Sequence, residues 1–317
     1  MDIWAEKYRP KKFEDLILPS TVENLYKKIL ETKEIPNLLL YSSPGTGKTS
    51  SVKVLAKELD YEVLYINASL ENTIDVIRTK VQTFAASKSF FGKRKLCFLD
   101  EADRISIDGL NSLKVLIEQF SSNCSFVIAT NYIAKFPEPI ISRFQVVNFE
   151  EYDEEEEREL QKKYAGRLLK ILKNEGVKNV DKELKRALIR LVQKTFPDLR
   201  KAIVELQRLY YSYGENITVE AVDKHVKDFI EETIKKIYQG KYREVVKEIL
   251  SKLTPEQFYV EVYRKMKKAV NVSDEDLMGV MMILAKYAHQ HYITVDRELN
   301  LAACIAELIT FLMKEKK

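Results

Sequence analysis

The chain has 317 residues, 45% of them apolar and 32% charged, with a net charge of +4. At roughly 100–200 residues per domain, this allows two or three domains with real cores. The small charge excess identifies no partner, because nucleic-acid binding needs a local basic surface.

Apolar runs such as "VMMILA" (280–285) fall far short of the ~20 residues of a membrane span. The opening "MDIWAEKYRPKK" is charged and has no apolar signal core. Cys97, Cys124 and Cys304 are scattered and form no C-x-x-C zinc pattern. We therefore expect a cytoplasmic protein with reduced thiols and no membrane partner.

In chain order, five short apolar runs come first: "NLLLY" (37–41), "EVLYIN" (62–67), "KLCFLD" (95–100), "SFVIAT" (125–130) and "QVVNF" (145–149). Longer amphipathic segments separate them, which predicts βαβ units and a parallel sheet buried on both faces. At Glu150 the composition changes to "EEYDEEEEREL", read as a solvated helix start in which acids favour the N-terminal dipole. Helical patterns follow over about 153–174, 181–195, 198–212 and 218–229, broken by "NEGVKN" and "SYG". Beyond about 230, four more are expected near 232–253, 255–270, 274–290 and 296–315, with Thr254 capping a first-turn Pro255. "LAACIAELITFLM" is apolar around most of its circumference and should be buried.

"YSSPGTGKTS" (41–50) lies between a strand-like run and a helix whose apolar face is Val52, Leu55, Ala56 and Leu59. This is the context of a phosphate-binding loop. Gly45, Thr46 and Gly47 let backbone N–H groups approach phosphates. Lys48 neutralises β/γ oxygens, Thr49 can ligate Mg²⁺, and Ser50 follows in the first helical turn. Ser42 stands where the usual pattern has its first glycine, a turn position that serine tolerates beside Pro44. Asp100 and Glu101 end the third run: an Asp for the metal and a Glu that can act as general base. Asn131, ending "IATN", can position water or serve only as a turn residue. Arg200 and Lys201 open the helix after "FPD", where cations oppose the helix dipole unless an anion is near. Arg143 reads from sequence alone as a surface arginine.

Taken together, "WAEKYRPKKFEDLIL", "PGTGKTS", "FLDEADR", "SSNCSFVIATN", "ISRF" and "FPDLRKAIVEL" resemble the replication-factor-C type of clamp-loader ATPase in the AAA+ superfamily. The resemblance is strongest to the ATPase subunits of T-even-type bacteriophage loaders. It spans residues 4 to about 210, and more loosely "TVDRELNLAACIAELI". It implies an α/β P-loop AAA+ domain (1–150) with a parallel sheet and flanking helices, then an all-α lid (151–230) and an all-α collar (231–317).

Further roles are implied position by position. Glu6, Lys7, Tyr8 and Ile17 would line the adenine pocket. Asp100 and Glu101 would be the Walker B pair, Asn131 sensor 1, Arg200 sensor 2, and Arg143 an arginine finger acting on a neighbour's ATP. Asn67 would restrain Glu101 until DNA binds. The resemblance also implies ATP and Mg²⁺ as cofactors. Its implied partners are primer–template DNA, a ring-shaped sliding clamp, further copies of the chain with one different subunit in a five-subunit assembly, and, indirectly, a replicative polymerase. For a phage member the compartment would be the host cytoplasm.

The sequence departs from the family at Phe144 in place of a cysteine, Thr73 in place of a lysine, and Lys114 in place of an arginine, which keeps the charge and loses a fork. In the segment "TIDVIRTKVQTFAA", Arg78, Thr79 and Lys80 flank an apolar stripe. In "RISIDGLNSLK", Ser106 or Asp108 should cap the helix and Asn111 follows. These are ordinary surface helices unless the family's DNA-tracking role applies. Ile117 and Phe120 could plug a clamp pocket or pack the core. A helicase loader, a branch-migration motor and a nucleotide-switched adaptor are the rival functions.

Overall fold

The computed structural model describes residues 2–70, 74–89, 92–226, 229–252, 255–270, 273–291, 293–294 and 296–314. It divides into two compact units, Met1–Val226 and Lys227–Lys317.

In the first unit, strands β1 (Leu38–Tyr41), β2 (Glu62–Asn67), β3 (Lys95–Asp100), β4 (Cys124–Thr130) and β5 (Gln145–Asn148) form one sheet in the order β2-β3-β4-β1-β5. Every pairing is parallel. The near-continuous apolarity of the central strands follows from burial on both faces. Leu39, Cys97, Leu99, Phe126 and Ile128 face one core, closed by α4 (Ile74–Ala86), α5 (Ile107–Phe120) and α6 (Glu138–Ile141). Leu38, Leu40, Leu96, Phe98 and Val127 face another, closed by α2 (Ser20–Thr32) and α3 (Lys48–Glu58). β2 and β5 are the edge strands, and Val63 and Tyr65 of β2 stay exposed. Parallel strands bring their carboxyl ends to one border of the sheet, where α/β proteins bind ligands. The expected phosphate loop, Asp100-Glu101 and Asn131 all fall there.

The acidic run opens α7 (Glu154–Asn174), with four glutamates in its first turn and Asp153 as cap. α8 (Lys182–Thr195), α9 (Leu199–Tyr213) and α10 (Val219–His225) are capped by Asp181, Asp198 and Thr218, whose side chains accept backbone N–H bonds. These four helices bury a third core, joined by Trp4 from α1 (Trp4–Lys7). The Trp4 backbone N–H donates to Gln207 Oε1 at 3.0 Å, which ties the N-terminal segment to α9.

The second unit contains α11 (Phe229–Tyr238), α12 (Tyr242–Lys252), α13 (Pro255–Ala269), α14 (Asp274–Gln290) and α15 (Arg297–Lys314) around one core. The single helix expected near 232–253 is two. Gly240, at φ 74°, ends the first, and the Lys241 N–H reaches back to Lys236 O at 3.0 Å. The expected cap Thr254 lies outside the described residues. α15 buries Leu301, Cys304, Ile305, Leu308 and Leu312, as its apolar sequence requires. All three cysteines are free and buried. Among the described residues, no helix is long and apolar enough to cross a membrane.

Candidate active site

β1 runs into the loop 42–47, and α3 starts at Lys48. Gly45 (φ 77°) and Gly47 (φ 103°) hold left-handed conformations that side chains resist. Gly45 is constrained a second way, because a Cβ there would overlap the Asp198 carboxylate at the start of α9. The buried Lys48 Nζ donates to Ser42 O (3.0 Å), Ser42 Oγ (2.9 Å), Ser43 O (2.9 Å) and Asn131 Oδ1 (3.0 Å). Burial pulls this lysine down to about 8, against the upward pull of Glu150, Asp100, Asp103 and Asp198. Ser42 is therefore more than a tolerated turn residue. Its hydroxyl also meets Thr46 Oγ1 at 2.6 Å and binds the loop internally.

At the end of β3, Asp100 is almost fully buried. Its Oδ2 accepts from Thr49 Oγ1 at 2.9 Å and Tyr65 OH at 3.0 Å, and its Oδ1 accepts from the Glu101 N–H at 3.1 Å. The Tyr65 phenol, whose ring stays partly open to solvent, is pushed up to about 12, first by desolvation of the hydroxyl against the sheet and then by Asp100. Hard oxygen donors from Thr49 and Asp100 beside a phosphate loop suit Mg²⁺, which takes few protein ligands and completes its shell with water and phosphate. Glu101 is exposed at φ 53°, an uncommon conformation for a non-glycine residue. Asn131 directly follows β4, and its N–H and Thr130 Oγ1 both donate to Asp103 Oδ1 at 3.3 Å. Asn67 stands opposite Asp100 in the sheet register, and its Oδ1 accepts from the Ser69 N–H (2.9 Å) and Oγ (2.7 Å).

Gly45 to Ser50, Asp100, Glu101 and Asn131 border a cleft of about 210 Å³ that they share with Tyr8, Ile17 and Arg200; Asn67 does not line it. Glu6 and Lys7, expected in the adenine pocket, do not line it. Lys7 Nζ is drawn to Glu175 at 2.7 Å, and Glu6 pairs with Arg9 at 3.0 Å. Arg200 lies in the first turn of α9, is largely exposed, and comes within 3.6 Å of Glu6. Asp198, raised by burial, caps that turn by accepting from the Lys201 N–H at 2.8 Å. Arg143 does not line the cleft. It donates to Glu118 of α5 (Nε, 2.7 Å) and to Pro139 O.

Sequence reasoning missed Arg167, which ties the N-terminal segment to α7 through Tyr8 O at 2.9 Å. It also missed Glu150, which accepts the Ser43 N–H at 3.0 Å, along with Asp103 and Tyr65. Asp103 alone had a signal, its place two residues after Glu101.

On α4, Arg78, Thr79 and Lys80 are exposed above a buried stripe that includes Ile77 and Val81. On α5, Ser106 is the cap, accepting from the Gly109 N–H at 3.2 Å; Asn111 is exposed and Lys114 half-buried. Ile117 and Phe120 cannot serve as exposed clamp plugs, because both are buried in the core between α5 and the sheet. Thr73 lies outside the described residues.

Residues 38–152 match the AAA family of ATPases associated with various cellular activities, and residues 156–225 match the AAA+ ATPase lid domain of sliding-clamp-loader large subunits. The replication factor C small subunit of Sulfurisphaera tokodaii is 32% identical over 98% of this chain and 95% of its own length. The chain belongs to the replication factor C type of clamp-loader ATPases. This clamp-loader chain is also 36% identical to the sliding-clamp-loader large subunits of Escherichia phage RB69 and Enterobacteria phage T4, over 67% of its own length. It spans only 65% and 66% of those two phage proteins. The RuvB Holliday-junction branch-migration motor of Thermotoga maritima shares the clamp-loader chain's fold with a TM-score of 0.55, at 20% identity over 73% of this chain and 79% of that one.

Proposed function

We propose that the chain is an ATP-hydrolysing subunit of a sliding-clamp loader, working as several copies with one different subunit in a five-subunit assembly. ATP would enter the cleft with its base against Tyr8 and Ile17 and its phosphates along Gly45 to Ser50. There the loop N–H groups, the N-terminus of α3 and Lys48 meet their charge. Thr49 and Asp100 would hold Mg²⁺, which supplies Lewis-acid stabilisation of charge on the phosphate oxygens. Glu101 takes the proton of the attacking water, Asn131 orients that water, and Arg200 approaches the phosphates from α9.

The division between the two arginines carries this reading. Arg200 borders the chain's own cleft, whereas Arg143, drawn to Glu118 and the Pro139 carbonyl, does not. On this reading Arg143 would reach the phosphates of a neighbouring subunit's ATP rather than those of its own chain. DNA would follow the exposed Arg78, Thr79 and Lys80 of α4 and Ser106 and Asn111 at the start of α5, all of which suit backbone contacts that read no bases. Asn67 and Lys114 would couple that contact to Glu101 and to the neighbour. ATP binding opens the clamp, DNA triggers hydrolysis, and the clamp closes for the polymerase.

The test is ATP turnover with and without primer–template DNA and the cognate clamp, with the partner subunit present. Joint stimulation is expected. No turnover with the full set of components would sink the reading.

A further inference from the structure

Tyr65 lies on the edge strand β2, where a tyrosine ordinarily turns its hydroxyl to water. This one does not. Its hydroxyl donates to Asp100 Oδ2 at 3.0 Å, on the oxygen that Thr49 Oγ1 also reaches at 2.9 Å. In the sheet register Asp100 stands opposite Asn67, so Tyr65 reaches it diagonally from two residues back along β2. The ring is held from two sides. Lys53 of α3 lies over it at 4.1 Å from the centroid, and Phe98 packs at 5.5 Å with a 57° tilt.

The carboxylate is thus fixed by three donors from three elements: Thr49 at the start of α3, Tyr65 on β2, and the Glu101 N–H after β3. Donors on both oxygens, two on Oδ2 and one on Oδ1, hold the plane of the group. The arrangement also settles the direction of Thr49. Its proton is committed to Asp100, so its lone pairs face away from that carboxylate and are open to a cation. A group that orients metal-binding side chains in this way typically changes metal affinity without touching the metal.

We propose that the Tyr65 hydroxyl is a positioning donor that orients Asp100 together with Thr49 and thereby sets the Mg²⁺ concentration the site needs. The inference rests on the reading of this cleft as a nucleotide site and assigns a role to a residue that no loop or acid-pair motif contains. It makes Tyr65 a positioning residue, since its hydroxyl bonds Asp100 and Tyr65 does not itself line the cleft.

The experiment uses the full chain and a fluorescent ATP analogue, measured in EDTA and across a Mg²⁺ titration, for the native chain and Tyr65→Phe. The substitution keeps the ring, the Lys53 contact and the Phe98 packing, and removes only the donor. The expected result is unchanged affinity in EDTA, with the Mg²⁺ midpoint of the binding gain raised about tenfold. An unchanged midpoint overturns the proposal. So does an equal loss of affinity with and without Mg²⁺, or a lowered melting temperature in EDTA with the midpoint unmoved, because either assigns the hydroxyl to the fold alone. If the native chain bound no analogue in either condition, the nucleotide-site reading itself would fail, and that failure is distinct because it precedes any difference between the two chains.

Discussion

Lys48 has its ammonium enclosed by carbonyl and hydroxyl oxygens and its affinity for protons lowered to about 8 by burial. For a base, lowering means that the charged form is the one the fold disfavours. Below pH 8 the side chain is already cationic and can receive a phosphate without proton uptake. Above that it must take up a proton to do so, at a cost of about 1.4 kcal/mol per pH unit. ATP affinity should therefore fall about five- to tenfold between pH 7.5 and 9. Titration calorimetry in matched buffers checks this, and an affinity that stayed level to pH 9 would show that Lys48 does not titrate in this range. The motif positions of this site were legible because each sits at a fixed offset from a strand end. Its partners were not. The loop pattern marked Ser42 only as a replaced glycine and Asp103 only by its place after Glu101, and Glu150, which no spacing rule marks, was hidden inside an acidic run whose other members cap or solvate a helix.

Two glycines separate conformational strain from crowding in the loop that joins β1 to α3. Gly47, at φ 103°, has nothing near the place a Cβ would take, whereas at Gly45 (φ 77°) that place is filled by the Asp198 carboxylate at the start of α9. Gly47→Ala should cost about 1–2 kcal/mol, the strain of a left-handed residue. Gly45→Ala should cost about 1–3 kcal/mol more, because the loop and α9 must part or Asp198 must give up its cap. Urea unfolding of both variants reads the difference, and equal losses would mean that α9 does not press on the loop. The strands and most helices were legible from period alone, since buried parallel strands and capped amphipathic helices each leave their own pattern. The break at Gly240 was not, because the residues on both sides keep the helical period and only the backbone conformation departs from it. The same limit applies to Ile117 and Phe120. Helical spacing showed that they share a face of α5, and only tertiary packing could show that this face meets the sheet.

In the whole assembly, the site proposed here is divided between copies. In that proposal Glu101 would serve the ATP of its own chain, and Arg143 that of the next. This division predicts complementation. Arg143→Ala should leave ATP binding to isolated chains unchanged, because Arg143 lies outside the cleft, and should remove DNA- and clamp-stimulated turnover. Glu101→Gln should likewise bind ATP and fail to turn it over. Assemblies built from a mixture of the two should regain activity. Wherever a Glu101→Gln subunit donates its intact Arg143 to the site of an Arg143→Ala subunit, the interface is whole. With random incorporation in equal amounts, about a quarter of the interfaces in a head-to-tail assembly are of this kind. Turnover of the mixture, measured with DNA and clamp present, separates two arrangements that single variants cannot. An arginine acting within its own chain would leave both variants dead in any combination. An arginine acting across the interface restores a fixed fraction that depends on mixing ratio as the product of the two proportions, highest when they are equal.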